Sequence, residues 1–232
     1  MKLCVIPARG GSKRIPRKNI KSFNGKPIIA YSIEAALKSG CFDRVIVSTD
    51  DKEIALVAKS YGAEVPFFRP TELSNDHAGT LPVIKHAIEW FEQNESALTE
   101  LCCVYATAPF VSAETIKESY QQLQISQADY CFTVTSFPFP VQRAVKITKQ
   151  HRLEMFYPQN FSTRSQDLEE AYHDAGQFYW GKAEAFKAMK PLFSKLSSPY
   201  LLPRYLVQDI DTPEDWKRAE LMHKVLREAG EL

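Results

Sequence analysis

The chain opens with an apolar run followed by a basic loop, Leu3-Cys4-Val5-Ile6 and then Pro7-Ala8-Arg9-Gly10-Gly11-Ser12-Lys13-Arg14-Ile15-Pro16-Arg17-Lys18-Asn19. The apolar run predicts a buried strand. The adjacent glycines predict a backbone that turns through positive φ and brings N–H groups close to an anion, within a loop that carries five basic side chains. Open α/β sheets bind ligands at the carboxyl ends of their strands. This position therefore favours an anion site over a merely solvated basic loop.

The glycine spacing differs from that of two common phosphate loops. A Walker loop requires Gly-x-x-x-x-Gly-Lys followed by Ser or Thr, and a dinucleotide turn requires Gly-x-Gly-x-x-Gly. Neither pattern occurs in this loop. The sequence thus predicts a phosphate-binding loop of another kind.

Composition limits the class of protein. The 232 residues suit one domain, predicted to span 1–232, and 29 Lys and Arg against 28 Asp and Glu leave a net charge of +1. That balance argues against nucleic acid or an anionic membrane as a general partner. Five cysteines without Cys-x-x-Cys spacing predict reduced core thiols, and the chain shows neither a signal core nor a long apolar run. We therefore expect a cytoplasmic protein.

Hydrophobic periodicity alternates between strand and helix patterns along the chain. Strands are predicted at 3–6, 44–49, 63–68, 101–105, 130–136, 176–180 and 205–207. Helices are predicted to begin at Pro27 and end before Gly40, to lie between 51 and 62, at 81–91 and 112–123, and to begin near Lys182 and Thr212. Such alternation predicts an α/β fold with a mostly parallel sheet and helices on both faces.

The pattern changes at Phe137-Pro138-Phe139-Pro140, after which short β-like runs replace the helical period. Residues 137–171 are predicted to form an inserted β-rich arm. Because the arm contains many apolar residues, we expect it to bury them against a second copy of the chain and so form a homodimer. The alternative is a flexible surface loop.

A second polar cluster, Gln208-Asp209-Ile210-Asp211-Thr212, follows the predicted strand 205–207. In an extended segment the Asp209 and Asp211 carboxylates point the same way, and two adjacent carboxylates favour a cation between them. Hard oxygen ligands suit Mg²⁺ shared with substrate phosphates. The alternative is that Asp211 or Thr212 caps the last helix, and both roles can coexist. With the basic loop, this cluster predicts a site for phosphoryl or nucleotidyl transfer.

These motifs resemble the cytidylyltransferases that activate nine-carbon sialic-type sugars, the CMP-sialic acid synthetase group. The resemblance covers the run from Ile6 to Asn19, Ser48-Thr49-Asp50, Arg69-Pro70-Thr71-Glu72-Leu73, Thr107-Ala108-Pro109 and the Asp209 cluster. It implies a nucleotide-diphospho-sugar transferase fold, CTP as nucleotide and Mg²⁺ on Asp209 and Asp211. It also implies nucleotide binding by Ala8, Arg9, Gly10, Gly11, Ser12, Lys13, Lys18, Asn19, Arg69, Asp76 and Thr80, with Asn19 and Arg69 at cytosine and Arg9, Lys18, Asp209 and Asp211 as catalytic residues.

One departure concerns the sugar. Where sialic acid synthetases usually have Gln-Pro-Thr-Ser-Pro, this chain has Tyr105-Ala106-Thr107-Ala108-Pro109. With the runs at 163–168 and 172–176, this resembles the branch that acts on pseudaminic acid; sialic and legionaminic acids are the alternatives. The implied sugar-binding residues are Tyr105, Thr107, Arg164, Gln166, Tyr172, His173, Asp174 and Gln177. Arg164 could pair with the sugar carboxylate, whereas Tyr172 and His173 could equally be structural.

Two rival functions remain open at this stage. An Asp-x-Asp glycosyltransferase has a similar sheet and metal pair but consumes a nucleotide-sugar, and a nucleotide-binding regulator would lack catalysis. The full set of Arg9, Lys13, Lys18, Asp209 and Asp211 is present, which argues against the regulator. The base that takes the sugar hydroxyl proton is not identified, since a metal-bound water and Asp211 both remain possible.

Overall fold

A computed structural model describes residues 1–75 and 78–232. Ten strands occur in the described residues, and their bounds are: β1 Lys2–Pro7, β2 Ser22–Phe23, β3 Lys26–Pro27, β4 Arg44–Ser48, β5 Glu100–Val104, β6 Tyr130–Ser136, β7 Val145–Ile147, β8 Leu153–Met155, β9 Tyr172–Lys182 and β10 Ser197–Leu201. Six of them form one sheet in the order β10-β6-β9-β5-β1-β4.

The sheet is mostly parallel, as predicted. Strand β1 pairs in parallel with β4 and β5, and β6 pairs in parallel with β10. Strand β9 runs antiparallel between β5 and β6. The carboxyl ends of the five parallel strands and the amino end of β9 therefore meet at one edge of the sheet, and this edge holds the site.

Helices cover both faces of the sheet: α1 Ile28–Ser39, α2 Lys52–Ser60, α3 Thr80–Asn94, α4 Ala113–Ser126, α5 Ala183–Lys187 and α6 Pro213–Glu228. Helices α1, α2 and α4 pack on one face, where Trp180 is buried, while α3 and α5 pack on the other. Helix α6 packs apart from both, in a third cluster with Phe23 and Tyr31. These arrangements confirm the α/β class.

Local sequence signals explain where several helices begin and end. Asp51 accepts from two backbone N–H groups of α2, Ser112 caps α4, and Thr212 and Asp215 form a capping box at α6. Gly40 has a φ of 64°, the left-handed conformation that ends α1. Pro27 lies one residue before α1 rather than inside it.

Two predicted strands are wrong, and one strand of the main sheet was missed. Residues 63–68 were expected to be a strand, but they make only isolated bridges, from Glu64 to Ile46 of β4 and from Phe68 to Thr49 just after it, and Pro66 between them donates no hydrogen bond. The strand predicted at 205–207 is also wrong, because Pro203 starts a 3₁₀ turn at Arg204–Leu206. The edge strand β10 was not predicted.

Residues 137–171 lie beyond the end of β6 and carry the two-stranded hairpin of β7 and β8. Much of their apolar surface faces solvent: Phe139 and Phe161 are each 80% exposed, and Ile147 and Leu153 are each 72% exposed. In the described part of the chain, no helix has the length and apolar character needed to cross a membrane.

Candidate active site

The basic loop after β1 is anchored to the loop after β4. The backbone N–H of Gly10 donates to Asp50 Oδ1 at 2.9 Å. Arg17 donates to both carboxylate oxygens of Asp51, at 2.5 and 2.9 Å, and pairs with Glu53 at 2.5 Å. The hydrogen bond from Arg17 holds the pKa of Asp51 down at about 2. Arg17 therefore fixes the loop in place instead of facing the cavity described next.

In this loop glycine lets the backbone lie close to a neighbouring side chain and does not provide a left-handed turn. The prediction that Gly10 and Gly11 adopt positive φ is wrong, and Arg17 has the left-handed conformation instead, with a φ of 56°. A Cβ on Gly10 would lie 2.7 Å from Asp51 Oδ2, whereas one on Gly11 would meet nothing within 4 Å. Gly10 is thus the position where only glycine fits.

Most of the predicted nucleotide residues meet in one cavity of about 300 Å³ at the sheet edge. Its lining includes the predicted residues Arg9, Ser12, Lys18, Asn19, Arg69, Thr80, Tyr105, Thr107 and Asp211. Pro7, Arg14, Ala78, Gly79 and Val83 complete it. We call it the nucleotide-side cavity, after the predicted nucleotide-binding residues in its lining.

Two residues on the wall of this cavity are held by backbone atoms. Asn19 donates through Nδ2 to the carbonyl of Arg9 at 2.9 Å. Arg69 is 7% exposed, donates through Nη2 to Ser48 O at 2.7 Å, and its Nε has no hydrogen-bond partner among the described residues. Burial lowers the pKa of Arg69 from its usual value. These contacts give both side chains fixed orientations before any ligand binds.

The two carboxylates of the second cluster precede α6. Asp211 accepts from Arg14 at 2.9 Å and from Lys18 at 3.4 Å, so it faces the basic loop across the cavity. Burial, followed by the neighbouring charge of Asp211, raises the pKa of Asp209 from its usual value. Residues 207–211 are irregular rather than a strand. Thr212 and Asp215 cap the helix, which leaves Asp209 and Asp211 available for other roles.

A second cavity, of about 610 Å³, adjoins the first because Tyr105 and Thr107 line both. We call it the sugar-side cavity, after the predicted sugar-binding residues in its lining. Its lining includes the predicted residues His173, Asp174 and Asp209, together with Ala175, Gly176, Tyr179, Val207, Gln208, Ile210 and Arg218. The two cavities form one cleft with a basic end and a mixed polar end.

A bulge in β9 brings Asp174 to this cleft. Tyr179 pairs with Phe132 of β6, but Asp174 pairs with Val134, so four residues of β9 oppose one of β6. Gly176 within the bulge has a φ of +63°, which glycine adopts without strain, and its N–H donates to Asp174 Oδ1 at 2.8 Å. Asp174 Oδ2 accepts from the Tyr179 hydroxyl.

Several predicted residues lie outside the lining of both cavities: Ala8, Gly10, Gly11, Lys13, Arg164, Gln166, Tyr172 and Gln177. Arg164 is exposed and pairs with Asp167 at 2.7 Å, and Tyr172 donates to Glu170 at 2.7 Å. Gln177 is 4% exposed and donates to Leu206 O. Asp76 lies outside the described residues.

The structure adds two notable residues to the predicted site. Arg14 contacts Asp211, and its basic character was a visible signal in the loop. Tyr179 is 3% exposed and lies in an aromatic stretch that indicates a core strand, so no local pattern separated it from its neighbours. Only the bulge, which brings Asp174 to its hydroxyl, distinguishes it.

Comparison with known proteins identifies the family to which this chain belongs. Residues 3–223 match the family model described as cytidylyltransferase. The chain belongs to the cytidylyltransferase family. A pseudaminic acid cytidylyltransferase from Campylobacter jejuni is 46% identical over 228 residues, covering 98% of each chain. A CMP-N,N′-diacetyllegionaminic acid synthase from Legionella pneumophila is 33% identical and also covers 98% of each chain.

A solved structure supports the fold of this cytidylyltransferase. A CMP:2-keto-3-deoxy-manno-octonic acid synthetase complexed with CTP aligns with a TM-score of 0.70 and 16% identity, covering 97% of this chain and 98% of that one. At that identity the likeness concerns the fold alone. It agrees with the predicted class, a sheet of the nucleotide-diphospho-sugar transferase type.

The donor set suits a hard divalent cation. Asp209 and Asp211 supply carboxylate oxygens, and burial, followed by the charge of Asp211, raises the pKa of Asp209, so a bound cation would stabilise its charged form. The described residues contain no group of three or more His, Cys, Asp or Glu side chains placed to hold a metal. Two carboxylates with substrate phosphates and water are nevertheless the environment in which Mg²⁺ is commonly bound.

Proposed function

We propose that this cytidylyltransferase joins CTP to a nine-carbon nonulosonic acid, pseudaminic acid, and releases pyrophosphate and CMP-pseudaminic acid. The observation that carries the proposal is the divided cleft, in which a cavity with Arg9, Lys18 and Asp211 adjoins a polar cavity through Tyr105 and Thr107. Similarity to relatives named for pseudaminic acid, at 46% identity over 98% of the chain, supports the choice of sugar.

The nucleotide half of the cleft is proposed to hold CTP. Arg9, Ser12, Lys13 and Lys18, with the backbone N–H of Gly11, would bind the phosphates because cations and N–H donors stabilise their negative charge. Ala8 and Gly10, whose N–H groups donate to Ser48 O and Asp50 Oδ1, would lie beside the nucleotide and hold the loop in shape. Asn19 and Arg69 would contact cytosine, and Thr80 and Asp76 would lie near the nucleotide. A base that accepts from Arg69 would supply some of the acceptors that this buried guanidinium lacks.

The reaction is a displacement at phosphorus. The anomeric hydroxyl oxygen forms a bond to the α-phosphorus, and the bond between that phosphorus and the bridging oxygen of pyrophosphate breaks. The hydroxyl proton passes to a base, for which Asp211 and a water molecule are the two candidates. Lys18, whose side chain is 18% exposed, would stabilise the negative charge that grows at the α-phosphate. Holding both substrates in one cleft would supply the rest of the rate enhancement through proximity and orientation.

Asp209 and Asp211 are proposed to hold Mg²⁺. When bound, the metal would neutralise phosphate charge and help orient the triphosphate. Asp211 would exchange its contacts with Arg14 and Lys18 for the cation, which frees both basic side chains for phosphate oxygens.

The sugar half is proposed to use Tyr105, Thr107, His173 and Asp174, which line the second cavity. Arg164, Gln166, Tyr172 and Gln177 are proposed as further sugar contacts. For Arg164, this requires exchanging the carboxylate of Asp167 for that of the sugar, an exchange between chemically equivalent partners.

The arm, residues 137–171, is proposed to form a homodimer interface. Its apolar side chains are exposed in the single chain, and packing against the same surface of a second copy would bury them. We also place the reaction in the cytoplasm, in agreement with five buried free cysteines.

The test is an incubation with CTP, Mg²⁺ and pseudaminic acid, followed by mass spectrometry and pyrophosphate detection. The proposal predicts CMP-pseudaminic acid and pyrophosphate in equal amounts. Sugar transfer from a supplied nucleotide-sugar, without pyrophosphate release from CTP, would favour an Asp-x-Asp glycosyltransferase and contradict the proposal.

A further inference from the structure

A separate cavity of about 320 Å³ lies between α1, α6 and the start of α4, away from the cleft. Its described lining has three basic side chains, Lys26, Lys38 and Arg227, and one acidic side chain, Glu34. None of the described residues that line it also lines the nucleotide-side or the sugar-side cavity. We call it the α1–α6 cavity.

The side chains leave this cavity positively charged. Lys26 pairs with Glu34 at 2.6 Å, so these two charges cancel. Lys38 and Arg227 are exposed, and neither forms an ion pair with another described residue. The remaining charge of two cations matches a phosphate group, which carries about −1.5 to −2 at pH 7.

The amino end of α4 borders the same cavity. Ser112, the N-cap, and Ala113, the first residue of this 14-residue helix, both line it. The first N–H groups of a helix have no partner within the helix and carry partial positive charge. This end of α4 therefore adds to the attraction that Lys38 and Arg227 exert on an anion.

A buried histidine supplies a hydrogen-bond donor to this cavity. His223 is 2% exposed and belongs to the lining. Asn24 donates through Nδ2 to Glu220 O at 2.9 Å, which sets the orientation of its amide because a carbonyl only accepts. The same Nδ2 lies 3.3 Å from His223 Nδ1, so Nδ1 accepts and the proton of the neutral ring lies on Nε2. Nε2 forms no hydrogen bond with a described residue.

Packing and charge hold His223 in this state. Its ring meets those of Phe23, Tyr31 and Phe110 edge to face, with centroids 5.3, 4.8 and 5.7 Å apart. Burial, followed by the charges of Arg227 and Lys26, lowers the pKa of His223 to about 4. At neutral pH the ring is therefore uncharged and keeps one unused N–H. A bound anion would supply the acceptor that this group lacks.

We propose that the α1–α6 cavity is a second ligand site, which binds a phosphate group through Lys38, Arg227, the amino end of α4 and the Nε2 proton of His223. A carboxylate carries only one negative charge and matches the two cations less well. Inorganic phosphate and the phosphate of a nucleotide share the required chemistry. The site does not depend on the proposed reaction, since it shares no described lining residue with the cleft.

The experiment follows the histidine side-chain signals by NMR while the full chain is titrated with inorganic phosphate at neutral pH and constant ionic strength. The His223 signal is assigned by replacing each of the other four histidines in turn, which leaves the packed His223 ring in place. It should shift and saturate with phosphate. Arg227→Gln combined with Lys38→Gln should weaken this binding about fivefold, the change expected when two exposed charges are lost.

Two single variants are the controls. Lys217→Gln removes an exposed charge from α6 outside the lining of the cavity, and it should leave the phosphate affinity at His223 unchanged. Lys18→Met alters the nucleotide-side cavity and should also leave that affinity unchanged, which separates the site from the basic loop.

Further titrations identify the source of the phosphate. Acetate should bind more weakly than inorganic phosphate. Tighter binding of CMP than of inorganic phosphate at His223 would assign the site to a nucleotide, and equal or weaker binding of CMP would assign it to free phosphate. A His223 signal that responds to neither probe, equal affinities for acetate and phosphate, or wild-type affinity in the variant with Arg227→Gln and Lys38→Gln would overturn the inference.

Discussion

The basic loop after β1 and the arm of residues 137–171 differ in how the fold holds them. The loop lies at the end of a buried parallel strand and is tied by Gly10, Asn19 and Arg17 to neighbouring backbone and carboxylates. The arm has a hairpin whose three-residue strands expose Ile147 and Leu153. The contrast indicates that the proposed nucleotide half is preorganised within one chain, whereas the arm leaves apolar side chains exposed that the proposed homodimer would bury.

The largest effect is expected at Asp209 and Asp211, the two carboxylates that precede α6. Replacing both Asp209 and Asp211 by Asn removes the proposed metal ligands and should lower Mg²⁺-dependent pyrophosphate release by about a thousandfold or more. Glu214→Gln, an exposed change in the first turn of α6, is the control and should keep wild-type rates. Full activity in the Asp209→Asn, Asp211→Asn variant would remove the metal assignment.

A smaller loss is expected from the basic loop itself. Lys18→Met keeps the length of the side chain but removes its charge, and it should lower kcat/KM for CTP by about a hundredfold. The exposed Lys52 of α2 supplies the control, Lys52→Met, which should leave kcat/KM unchanged. A Lys18→Met enzyme within about twofold of wild type would show that Lys18 does not stabilise the reacting phosphate.

For the arm, the expected effect is on assembly. Ile147→Glu with Leu153→Glu places two charges on the exposed apolar face of the hairpin and should convert the proposed dimer to a monomer in sedimentation velocity runs. Lys146→Ala with Glu154→Ala changes the ion pair next to it in the same hairpin and should leave the dimer intact. A wild-type protein that sediments as a monomer at micromolar concentration contradicts the dimer.

The smallest effect concerns the anchor of the basic loop. Arg17→Ala should lower the free energy of unfolding at neutral pH by about 0.5–1 kcal/mol, since its ion pairs are partly exposed. The pKa of Asp51 in the folded protein, about 2, lies below its usual value of 3.8. The stabilisation is therefore present above about pH 4 and fades as the pH falls towards 2.

Denaturant unfolding of the wild-type and Arg17→Ala proteins at several pH values checks this prediction. The difference in free energy of unfolding should be constant between pH 5 and pH 7 and shrink below pH 4. A difference that grows on acidification would show that Asp51 is not the partner through which Arg17 stabilises the loop.

Sequence predicted features that depend on neighbouring residues better than features that depend on pairing between distant parts of the chain. The basic loop, the cap at Thr212 and the strand Tyr130–Ser136 depend on residues close together in the chain. The edge strand β10 contains Pro199 and two serines, so it lacked the apolar pattern of a strand. Tyr179 and Asp174 meet through a bulge whose presence depends on pairing with β6, which local periodicity does not encode.

The most direct test of the whole account is kcat/KM for pyrophosphate release with CTP and, in parallel, pseudaminic, N,N′-diacetyllegionaminic and N-acetylneuraminic acids. Tyr105 and the polar groups of the sugar-side cavity are proposed to select the sugar, because buried hydrogen-bonding groups left unpaired by a wrong substrate are costly. The account predicts that pseudaminic acid is preferred by about a hundredfold or more. Equal values for the three acids, or a preference for either of the other two, would contradict it.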